Sequence, residues 1–553
     1  MTEEVYGCRP GKSAEGMALD ISMELESRGY SQFQFVAGVS YDCRKAFDLV
    51  PIEVALETMR IRGCHSRILR VVHGLYRGLR RVFRLQGAIG SWWKSYNGLV
   101  QGDPISMVLL NSLVTCVVEA TRHLPVQHQT VRSYADDLSA VVRGQTQAEV
   151  KDKLRAIHAV VRGYVSSGCG ELNIKKCYTF GDDSVQGILH NEFQHSKDFR
   201  IVGGSIVVRE NASFLTQLEN KRWSKWRGTI RRIRHLPYGW MKRARMMLAT
   251  QSQATFGQGS HGLVENLDYL KKVRADIMRS LWKMDAYSCS PLVTMAILVP
   301  VQLDPEFGCI YEGLRAIMRY VRRPAAAAEL KRRFYMDPSF PVDGPTARLK
   351  TLADTSILGR HIYTLVNGEH TEGEWLHRLR EEWRNFLWGR VSRERSHHYA
   401  GAQRVDRKRT MRWYNSLQDI ADQEDYDSVS VEVSEARAQM GVLRTIFAGG
   451  LMTPDRALRH RKKQGEHLCR CGAEKESVEH VSWRCVQYQD YRTLLREQLT
   501  CSLEDLPVCM QYAAIVPQDS WLTDEEIFAV QSYLVKVWQH HIKQWGAGED
   551  LLV

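Results

Sequence analysis

The sequence lacks the apolar segments that mark secreted and membrane proteins. Met1 to Lys12 is polar and mixed in charge, so it has no signal-peptide core, and we expect an intracellular protein. The most apolar runs, Met107 to Val118 and Leu292 to Leu303, are about 12 residues long, whereas a membrane helix needs about 20. The sequence therefore predicts no membrane span.

Cysteine is sparse, with 13 residues among 553, and the number is odd. This usage excludes a disulfide-built scaffold and suits a reducing compartment, with free thiols or a small metal site. The sequence also has no repeat of fixed period and no low-complexity tract. Apolar residues make up 44% and charged residues 25%, which excludes disorder as the overall description.

The charge balance is basic. Lys and Arg number 76 against 63 Asp and Glu, for a net charge of +13. A pI near 9.1 favours a polyanionic partner, either nucleic acid or an acidic membrane surface. At roughly 150 residues per domain, the length predicts about three to four domains.

The first 208 residues have mixed helix and strand patterns. Phe33 to Tyr41 is rich in β-formers and predicts a strand, and Asp103-Pro104 is a helix start that continues to about Arg122. The other predicted elements are a helix opening at Pro51, a hairpin around Gly87 and Gly90, two strands around Asp136-Asp137, and a helix from Val150 to Val165.

The remainder is mainly helical in pattern. Lys221 to Arg245 contains ten Lys and Arg residues and no acidic residue, interleaved with aromatic residues (Trp223, Trp226, Tyr238 and Trp240). Residues 326–435 are polar and predict linker or mobile helix. Residues 436–510 carry a Cys/His cluster, and Asp524 to Gln544 predicts one amphipathic helix.

Two acidic sites stand out. Asp42 follows the first predicted strand, and Asp136 and Asp137 lie in the predicted hairpin turn. Carboxylates at the ends of adjacent strands can hold two divalent cations about 4 Å apart, and Mg²⁺ suits such a site. Taken singly, Asp42 has the alternative of a helix N-cap, and Asp136-Asp137 that of a type I′ turn.

A second chemical signal has the spacing C-x-C-x8-H-x4-C. Three thiolates and one imidazole satisfy tetrahedral zinc, so the pattern predicts one structural Zn²⁺ held by Cys469, Cys471, His480 and Cys485. The one-residue first gap is shorter than usual, and His467 is a spare ligand. The alternative is a set of unrelated Cys and His residues in a helical region.

The chain resembles the reverse transcriptases of non-LTR (LINE-type) retrotransposons. The resemblance covers roughly residues 5–208 and rests on blocks in the family's order: Gly7-Cys8-Arg9-Pro10-Gly11-Lys12-Ser13, Asp42 to Asp48, Gly98 to Ser106, Tyr134-Ala135-Asp136-Asp137, Leu172 to Lys176, and Val202-Gly203. A Cys/Cys/His/Cys knuckle followed by Tyr488 and Arg492, with Leu443-Arg444 and Gly449-Gly450 upstream, also fits the family's C-terminal region.

The resemblance implies roles in catalysis. Asp42 and Asp136 would be the main ligands of two Mg²⁺ ions, with Asp137 secondary. Lys176 would donate a proton to the leaving pyrophosphate. Lys175 competes for that role, and a solvated surface lysine is the alternative for Lys176.

The resemblance also implies a nucleotide and template site. Phe47 would select dNTPs by excluding a 2′-hydroxyl, although a core aromatic is the alternative. Gln101 and Gly102 would shape the pocket around nucleotide and template, and Arg9 would contact substrate. Beyond the palm, Lys221, Arg222, Lys225, Arg227, Arg231 and Arg232 would bind phosphates while the aromatic residues stack on bases or pack inward.

The resemblance implies an α+β fold, a right-hand polymerase with more helix than strand. We expect partial fingers and palm in residues 1–208, a helical thumb in 209–325, a linker or helical region in 326–435, the knuckle region in 436–510 and a C-terminal helix in 511–553. The two metal-binding carboxylate sites should approach within about 4 to 6 Å.

The expected function is RNA-directed DNA polymerisation, with an RNA template, a DNA primer or target and dNTPs as partners. Few residues precede the first block, and the family's endonuclease is lacking, so we expect an internal piece of a larger reading frame. The alternative is a non-catalytic nucleic-acid-binding relic or fragment. Nuclear residence is implied by the family, and Arg459 to Lys463 is a weak import signal.

Overall fold

The computed structural model describes residues 2–30, 33–94, 97–167, 170–207, 217–257, 267–283, 289–338, 344–422, 430–451, 453 and 468–546. These residues form a mixed structure in which helix exceeds strand, as the sequence predicts. The chain divides into two units. The first comprises Met1–Ser224, Ser252–Asn266 and Cys309–Glu372, and the second Lys225–Gln251, Leu267–Gly308 and Gly373–Val553. The five-part division stays a prediction, since each unit combines segments that are distant in sequence.

A five-stranded sheet organises the first unit. Its order is β11-β10-β1-β8-β7, with β10 and β11 parallel and the other pairs antiparallel. Gly38 is needed in the central strand, because a Cβ there would lie 2.3 Å from the Phe180 ring. The strands are β1 (Phe35–Tyr41), β7 (Gln129–Tyr134), β8 (Asp137–Gly144), β10 (Tyr178–Gly181) and β11 (Gln194–Ser196).

Four shorter strand pairs complete the β-structure of the described residues. The predicted hairpin around Gly87 and Gly90 is present as two nested pairs. Val202 and Gly203, both at positive φ, form the turn of another. The pairs are β2 (Cys43–Arg44) with β9 (Glu171–Leu172), β3 (Arg80–Arg81) with β6 (Trp93–Lys94), β4 (Arg84–Leu85) with β5 (Ala88–Ile89), and β12 (Asp198–Ile201) with β13 (Gly204–Val207).

Helices cover both faces of the five-stranded sheet. Alternation along β1 sends Ala37, Val39 and Tyr41 into a core shared with four helices, and Val36 into a second core with the helix Ala14–Glu26. The helices before residue 208 are α1 (Ala14–Glu26), α2 (Ala46–Leu49), α3 (Ile52–Ile61), α4 (Ser66–Arg77), α5 (Pro104–Arg122) and α6 (Gln147–Ser167).

Helix α5 begins as its sequence predicts. The Asp103 side chain accepts a hydrogen bond from the Ile105 backbone N–H at 3.1 Å and caps the helix. Counted whole, α5 is long and apolar enough to cross a membrane, contrary to the shorter run counted in the sequence, but 61% of its most apolar window is buried inside the structure. Its apolar composition serves the core, where Leu109 and Val117 lie.

The sequence predicts linker or helix in residues 326–435, and the described part is mainly helical and contributes buried side chains such as Leu349 and Trp383. Its polar surface obscured the apolar positions. Beyond residue 208 the helices are Gln217–Arg234, Trp240–Thr255, Leu267–Trp282, Pro291–Val293, Pro305–Tyr320, Pro324–Tyr335, Pro345–Thr355, Gly359–Asn367, Glu372–Glu394, Ser396–Tyr399, Arg407–Ala421, Val431–Phe447, Gln489–Gln498, Val508–Ala513 and Asp524–Gly546. The last confirms the predicted amphipathic C-terminal helix.

Within the second unit, the contacts that join the helices include aromatic residues and a buried ion pair. Trp240 donates its indole N–H to the Tyr414 hydroxyl at 2.6 Å and lies 5.5 Å from the Trp282 ring. Arg274 pairs with the fully buried Asp304 at 2.8 Å. Because an unpaired charge in this buried position would cost free energy, the pair fixes the position of the helix Leu267–Trp282 relative to Asp304.

Glu15 makes stability depend on pH. It lies in the first unit, where its carboxylate accepts the Gly257 N–H at 3.2 Å, and burial raises its pKa to about 7. The folded state then binds more protons than the unfolded state between about pH 4.5 and 7. We expect the free energy of unfolding to fall by up to about 3 kcal/mol as pH rises through this window.

The Glu15→Gln variant should lose this decline, since Gln keeps the acceptor oxygen and does not titrate. Urea unfolding at several pH values between 5 and 8 measures the effect. Parallel curves for the parent and the variant would contradict the prediction.

Candidate functional site

The antiparallel register brings the predicted acidic residues together at one end of the strands β1, β7 and β8. Tyr41, the last residue of β1, pairs with Leu138, and Tyr134 pairs with Asp137 to close the β7–β8 hairpin. Asp42, one step beyond Tyr41, therefore lies at the strand ends beside the hairpin turn. Ala135 has a φ of 55°, as the tight turn requires.

The backbone of Asp42 is fixed by the segment that precedes β10. The Asp42 carbonyl accepts the Asn173 N–H at 2.7 Å, and its N–H donates to the Cys177 Sγ at 3.5 Å. The next residue, Cys43, pairs with Leu172 across β2 and β9. Sequence reasoning missed Cys177, because a buried apolar thiol gives no local signal.

The three carboxylates repel one another. Burial, followed by the charge of Asp42, raises the pKa of Asp136. Burial together with Asp136 and Asp42 raises the pKa of Asp137 to about 6. A group of carboxylates with raised pKa values suits divalent cations, because the positive charge of the cations offsets the repulsion between the carboxylates. Hard divalent cations such as Mg²⁺ also prefer oxygen ligands.

Lys176 approaches this group from the short turn Ile174–Lys176. Its Nζ lies 3.6 Å from Asp42 Oδ1, and the side chain is largely exposed. The charge of Lys176 opposes the rise in the pKa of Asp136 and Asp137. The structure therefore brings Lys176 to Asp42, and Lys175 beside it is exposed.

The N-terminal block braces the acidic turn. Tyr6 N–H donates to the Ser133 carbonyl at 2.8 Å, and Asn111 Nδ2 donates to the Gly7 carbonyl at 2.6 Å. A Cβ on Gly7 would lie 2.8 Å from the Ala135 backbone nitrogen, so this close approach needs glycine. Sequence reasoning missed the role of Asn111, which a buried helix position does not reveal.

Arg9 contacts its own segment in this structure. Its Nη1 donates to the Val5 carbonyl at 3.1 Å, and its Nη2 lies 3.9 Å from Glu3. These bonds hold the N-terminal block together. A contact between Arg9 and substrate stays a prediction.

Two loops meet at Phe47. Leu99 N–H donates to the Phe47 carbonyl at 2.6 Å, and Gly98 N–H donates to the Val50 carbonyl at 2.9 Å. The Phe47 ring is partly buried and packs at the edge of the core, which gives support to the core-aromatic alternative. Gln101 and Gly102 lie in the exposed turn before the α5 cap, where Gly102 adopts a φ of +91°.

The basic stretch is only partly available to a ligand. Lys221, Lys225, Arg231 and Arg232 are exposed, whereas Arg222 and Arg227 are half-buried. Arg222 donates to the Phe256 carbonyl at 3.0 Å, and Arg227 donates to Asp276 at 2.5 Å. Phosphate contacts by the six residues stay a prediction, and the two half-buried ones have structural roles.

The tryptophans of this stretch pack inward. Trp223, Trp226 and Trp240 are buried, and Trp226 donates its indole N–H to Thr250 at 3.1 Å. Of the two alternatives for these rings, stacking on bases or packing inward, the structure shows inward packing, because tertiary packing covers the rings. Tyr238 is the exposed aromatic residue of the stretch, with Lys242 Nζ 3.9 Å from its ring centre.

The Cys/His pattern folds into one cluster. The ligand atoms of Cys469, Cys471, His480 and Cys485 all lie within 4.8 Å of one another. Cys469 Sγ lies 3.7 Å from Cys485 Sγ, close to the edge of about 3.8 Å that a tetrahedron with Zn–S bonds of about 2.3 Å would have. The donor set and spacing thus fit zinc.

A carboxylate orients the imidazole of the cluster. Glu474 Oε2 lies 3.1 Å from His480 Nδ1, while His480 Nε2 faces Cys471 Sγ at 3.2 Å. A partner on the second ring nitrogen fixes the tautomer of a metal-binding histidine. Spare ligand His467 and the basic run Arg459 to Lys463 lie outside the described residues.

The C-terminal helix Asp524–Gly546 supports the cluster. Trp538 donates to Ser482 at 3.2 Å, and Tyr488 contacts His541 at 3.0 Å. Arg492 is buried and donates to the Cys485 carbonyl at 2.7 Å. Tyr488 and Arg492, which the sequence comparison with the family singled out, therefore stabilise the cluster.

Comparison with known families agrees with the acidic site. Residues 1–203 match the family described as Reverse transcriptase (RNA-dependent DNA polymerase). This region is similar to a reverse transcriptase domain. It holds the three aspartates and Lys176, whereas the Cys/His cluster lies outside the match. No curated protein matches the chain.

Solved telomerase structures are distant matches. Apo telomerase from Candida tropicalis lacking its C-terminal domain has 12% identity and a TM-score of 0.28, covering 37% of this chain and 39% of that chain. The RNA complexes give 10% identity and a TM-score of 0.29 for Candida albicans (62% and 56% covered), and 10% and 0.31 for Candida tropicalis (68% and 53%). The chain thus spans about two fifths to just over half of these telomerases.

We expect Glu474→Ala to lower the zinc affinity of the cluster by about 10- to 100-fold, because the His480 ring loses its orienting partner. Competition with a chromophoric chelator measures this affinity. Glu479→Ala is the matched control, since the side chain of Glu479 is 47% exposed against 49% for Glu474.

The same assay on His467→Ala tests the spare ligand, and that variant should keep one zinc ion per chain. Equal affinity of the Glu474 and Glu479 variants would contradict the orienting role.

Proposed function

We propose that the chain is the RNA-directed DNA polymerase of a non-LTR retrotransposon, extending a primer 3′-hydroxyl with dNTPs on an RNA template. The observation that carries the proposal is the group formed by Asp42, just after the end of β1, with Asp136 and Asp137 in the β7–β8 turn and at the start of β8. The match of residues 1–203 to reverse transcriptases supports it.

The aspartates would hold two Mg²⁺ ions through their carboxylate oxygens. Bound there, the ions would supply activation of the attacking hydroxyl and stabilisation of the leaving pyrophosphate. Lys176, whose Nζ lies 3.6 Å from Asp42 Oδ1, would give a proton to the leaving group.

Phe47 would select the sugar of the nucleotide. The Phe47 carbonyl accepts the Leu99 N–H, two residues before Gln101. A ring fixed there would exclude a ribose 2′-hydroxyl, while Gln101 and Gly102 border the nucleotide and template. The primer would be a DNA strand.

The Cys/His cluster would hold one structural Zn²⁺ and form the knuckle of such an element. Its folding role rests on the contacts with the C-terminal helix, and the exposed surface around it would contact nucleic acid. Residence in the nucleus belongs to the same proposal.

We expect the parent chain to extend a DNA primer on an RNA template with dNTPs and Mg²⁺, and Asp136→Ala to lose about 100-fold or more of this activity, because a ligand of the cations is removed. Asp152→Ala, on the exposed face of α6, is the matched control and should stay active. Gel-resolved extension measures the activity.

Silence from both parent and Asp136→Ala, with tight template–primer binding retained, would overturn the polymerase and favour the non-catalytic nucleic-acid-binding protein.

Comparing substitutions at the neighbouring residues Lys175 and Lys176 tests whether Lys176 is a proton donor or only a surface charge. Lys176→Ala should lower the single-turnover extension rate by about 100-fold or more. Lys175→Ala should keep the parent's rate, because Lys176 is the residue that approaches Asp42. Equal effects of the two substitutions would assign the residues a shared electrostatic role.

A further inference from the structure

A small ribbon projects from the first unit between helix α4 and the loop that precedes α5. Arg80 and Arg81 pair with Lys94 and Trp93, and within them Arg84 and Leu85 pair with Ile89 and Ala88. We call residues 80–94 the aromatic ribbon. Neither the acidic site nor the Cys/His cluster uses it.

The ribbon exposes aromatic rings that proteins ordinarily bury. Phe83 is 73% exposed, Trp92 58% and Trp93 41%. Large apolar rings left in water imply a partner that covers them. Since the three rings lie within a span of eleven residues, they form one surface.

Arginine side chains order these rings. The guanidinium of Arg80 lies 4.4 Å from the Trp92 ring centre, and that of Arg81 lies 5.6 Å from Trp93. Phe83 stacks on Trp93 at 6.1 Å between ring centres. The surface therefore offers flat rings and positive charge together, which is the combination that stacks on bases and contacts phosphates.

The charge of this segment selects the partner. Residues 66–97 contain seven Lys and Arg residues and no Asp or Glu. A protein partner or a second copy would bring mixed charge, whereas nucleic acid brings one phosphate for each base. The ribbon's pairs of one aromatic ring with one arginine match this alternation of base and phosphate.

The ribbon is also too small to be stable alone. A two-stranded ribbon is marginally stable in water unless another surface packs on it. The short pairs Arg80–Lys94 and Arg84–Ile89 contain two residues per strand. Covering the rings with bases would stabilise the ribbon and bind the strand in one step.

We propose that the aromatic ribbon binds single-stranded nucleic acid, with bases stacked on Phe83 and Trp92 and phosphates contacted by Arg80 and Arg84. Recognition is by stacking and charge, so it tolerates sequence. It does not require catalysis, and it stands whether or not the aspartates bind cations.

The test uses the full chain and fluorescein-labelled U20 RNA and dT20 DNA, with anisotropy as the readout. Trp92→Ala should weaken binding of both strands by about 10-fold or more, because one stacked base is lost. Trp521→Ala is the matched control, with 56% exposure, and should bind as the parent does. Trp92→Phe should restore much of the affinity, because it keeps a ring.

Salt titration separates stacking from charge. Arg84→Ala should reduce the slope of log affinity against log salt by about 0.7, and Trp92→Ala should leave the slope unchanged. Arg360→Ala, which changes an exposed arginine in the helix Gly359–Asn367, should alter neither the affinity nor the slope. Duplex RNA, whose bases are already stacked, should bind the Trp92→Ala variant and the parent alike.

Unchanged binding of U20 and dT20 by Trp92→Ala would overturn the proposal. Two other results for Trp92→Ala would also overturn it. If the variant keeps RNA binding but no longer forms a dimer in sedimentation velocity, the ribbon binds a second copy of the chain. If it keeps RNA binding but no longer sediments with phosphatidylserine vesicles, the ribbon binds a membrane. Strand binding is also measured in the Asp136→Ala background, so failure of catalysis and failure of the ribbon are read separately.

Discussion

The pairing of β1 with β8 is the constraint on which the acidic site depends. Its register decides that Asp42 reaches the Asp136–Asp137 turn, and a slip of one residue would move Tyr41 and Val39 from their own core to the opposite face of the sheet, where other side chains are packed. The burial of β1 on both faces therefore fixes the position of three mutually repelling carboxylates. Core packing offsets the electrostatic cost of holding them together.

Contacts from distant parts of the chain tighten that arrangement. Asn173 and Cys177 form hydrogen bonds with the backbone of Asp42, and Gly7 lies against Ala135 in the β7–β8 turn. Lys176 then reaches Asp42 because the turn before β10 is already anchored. The acidic group thus depends on backbone bonds to segments more than a hundred residues away, and the cluster in the second unit likewise depends on the helix Asp524–Gly546.

Much of the local structure follows from the sequence, because its causes are local. The structure contains the Asp103 cap and the strand Phe35–Tyr41 where the pattern predicts them, and it brings the four predicted Cys and His residues together. Burial could not be predicted in the same way. Trp223 and Trp226 lie among basic residues, so their neighbours suggested a ligand surface, yet both side chains are buried. Asn111 and Cys177 act only through partners that the chain order does not reveal.

Two buried acids in helix α1 have a consequence for the order of folding. Asp20 pairs with Arg323 at 3.0 Å, and Glu26 accepts the backbone N–H groups of Thr346 and Ala347 at 3.1 and 2.9 Å. During synthesis these acids emerge some three hundred residues before their partners, so the first unit cannot close until its last segment has left the ribosome. A fragment that ends near residue 208 would keep every aspartate of the acidic site, and Asp20 would keep its contacts with Tyr6 and Arg132, but Arg323 and both backbone N–H partners of Glu26 would be missing.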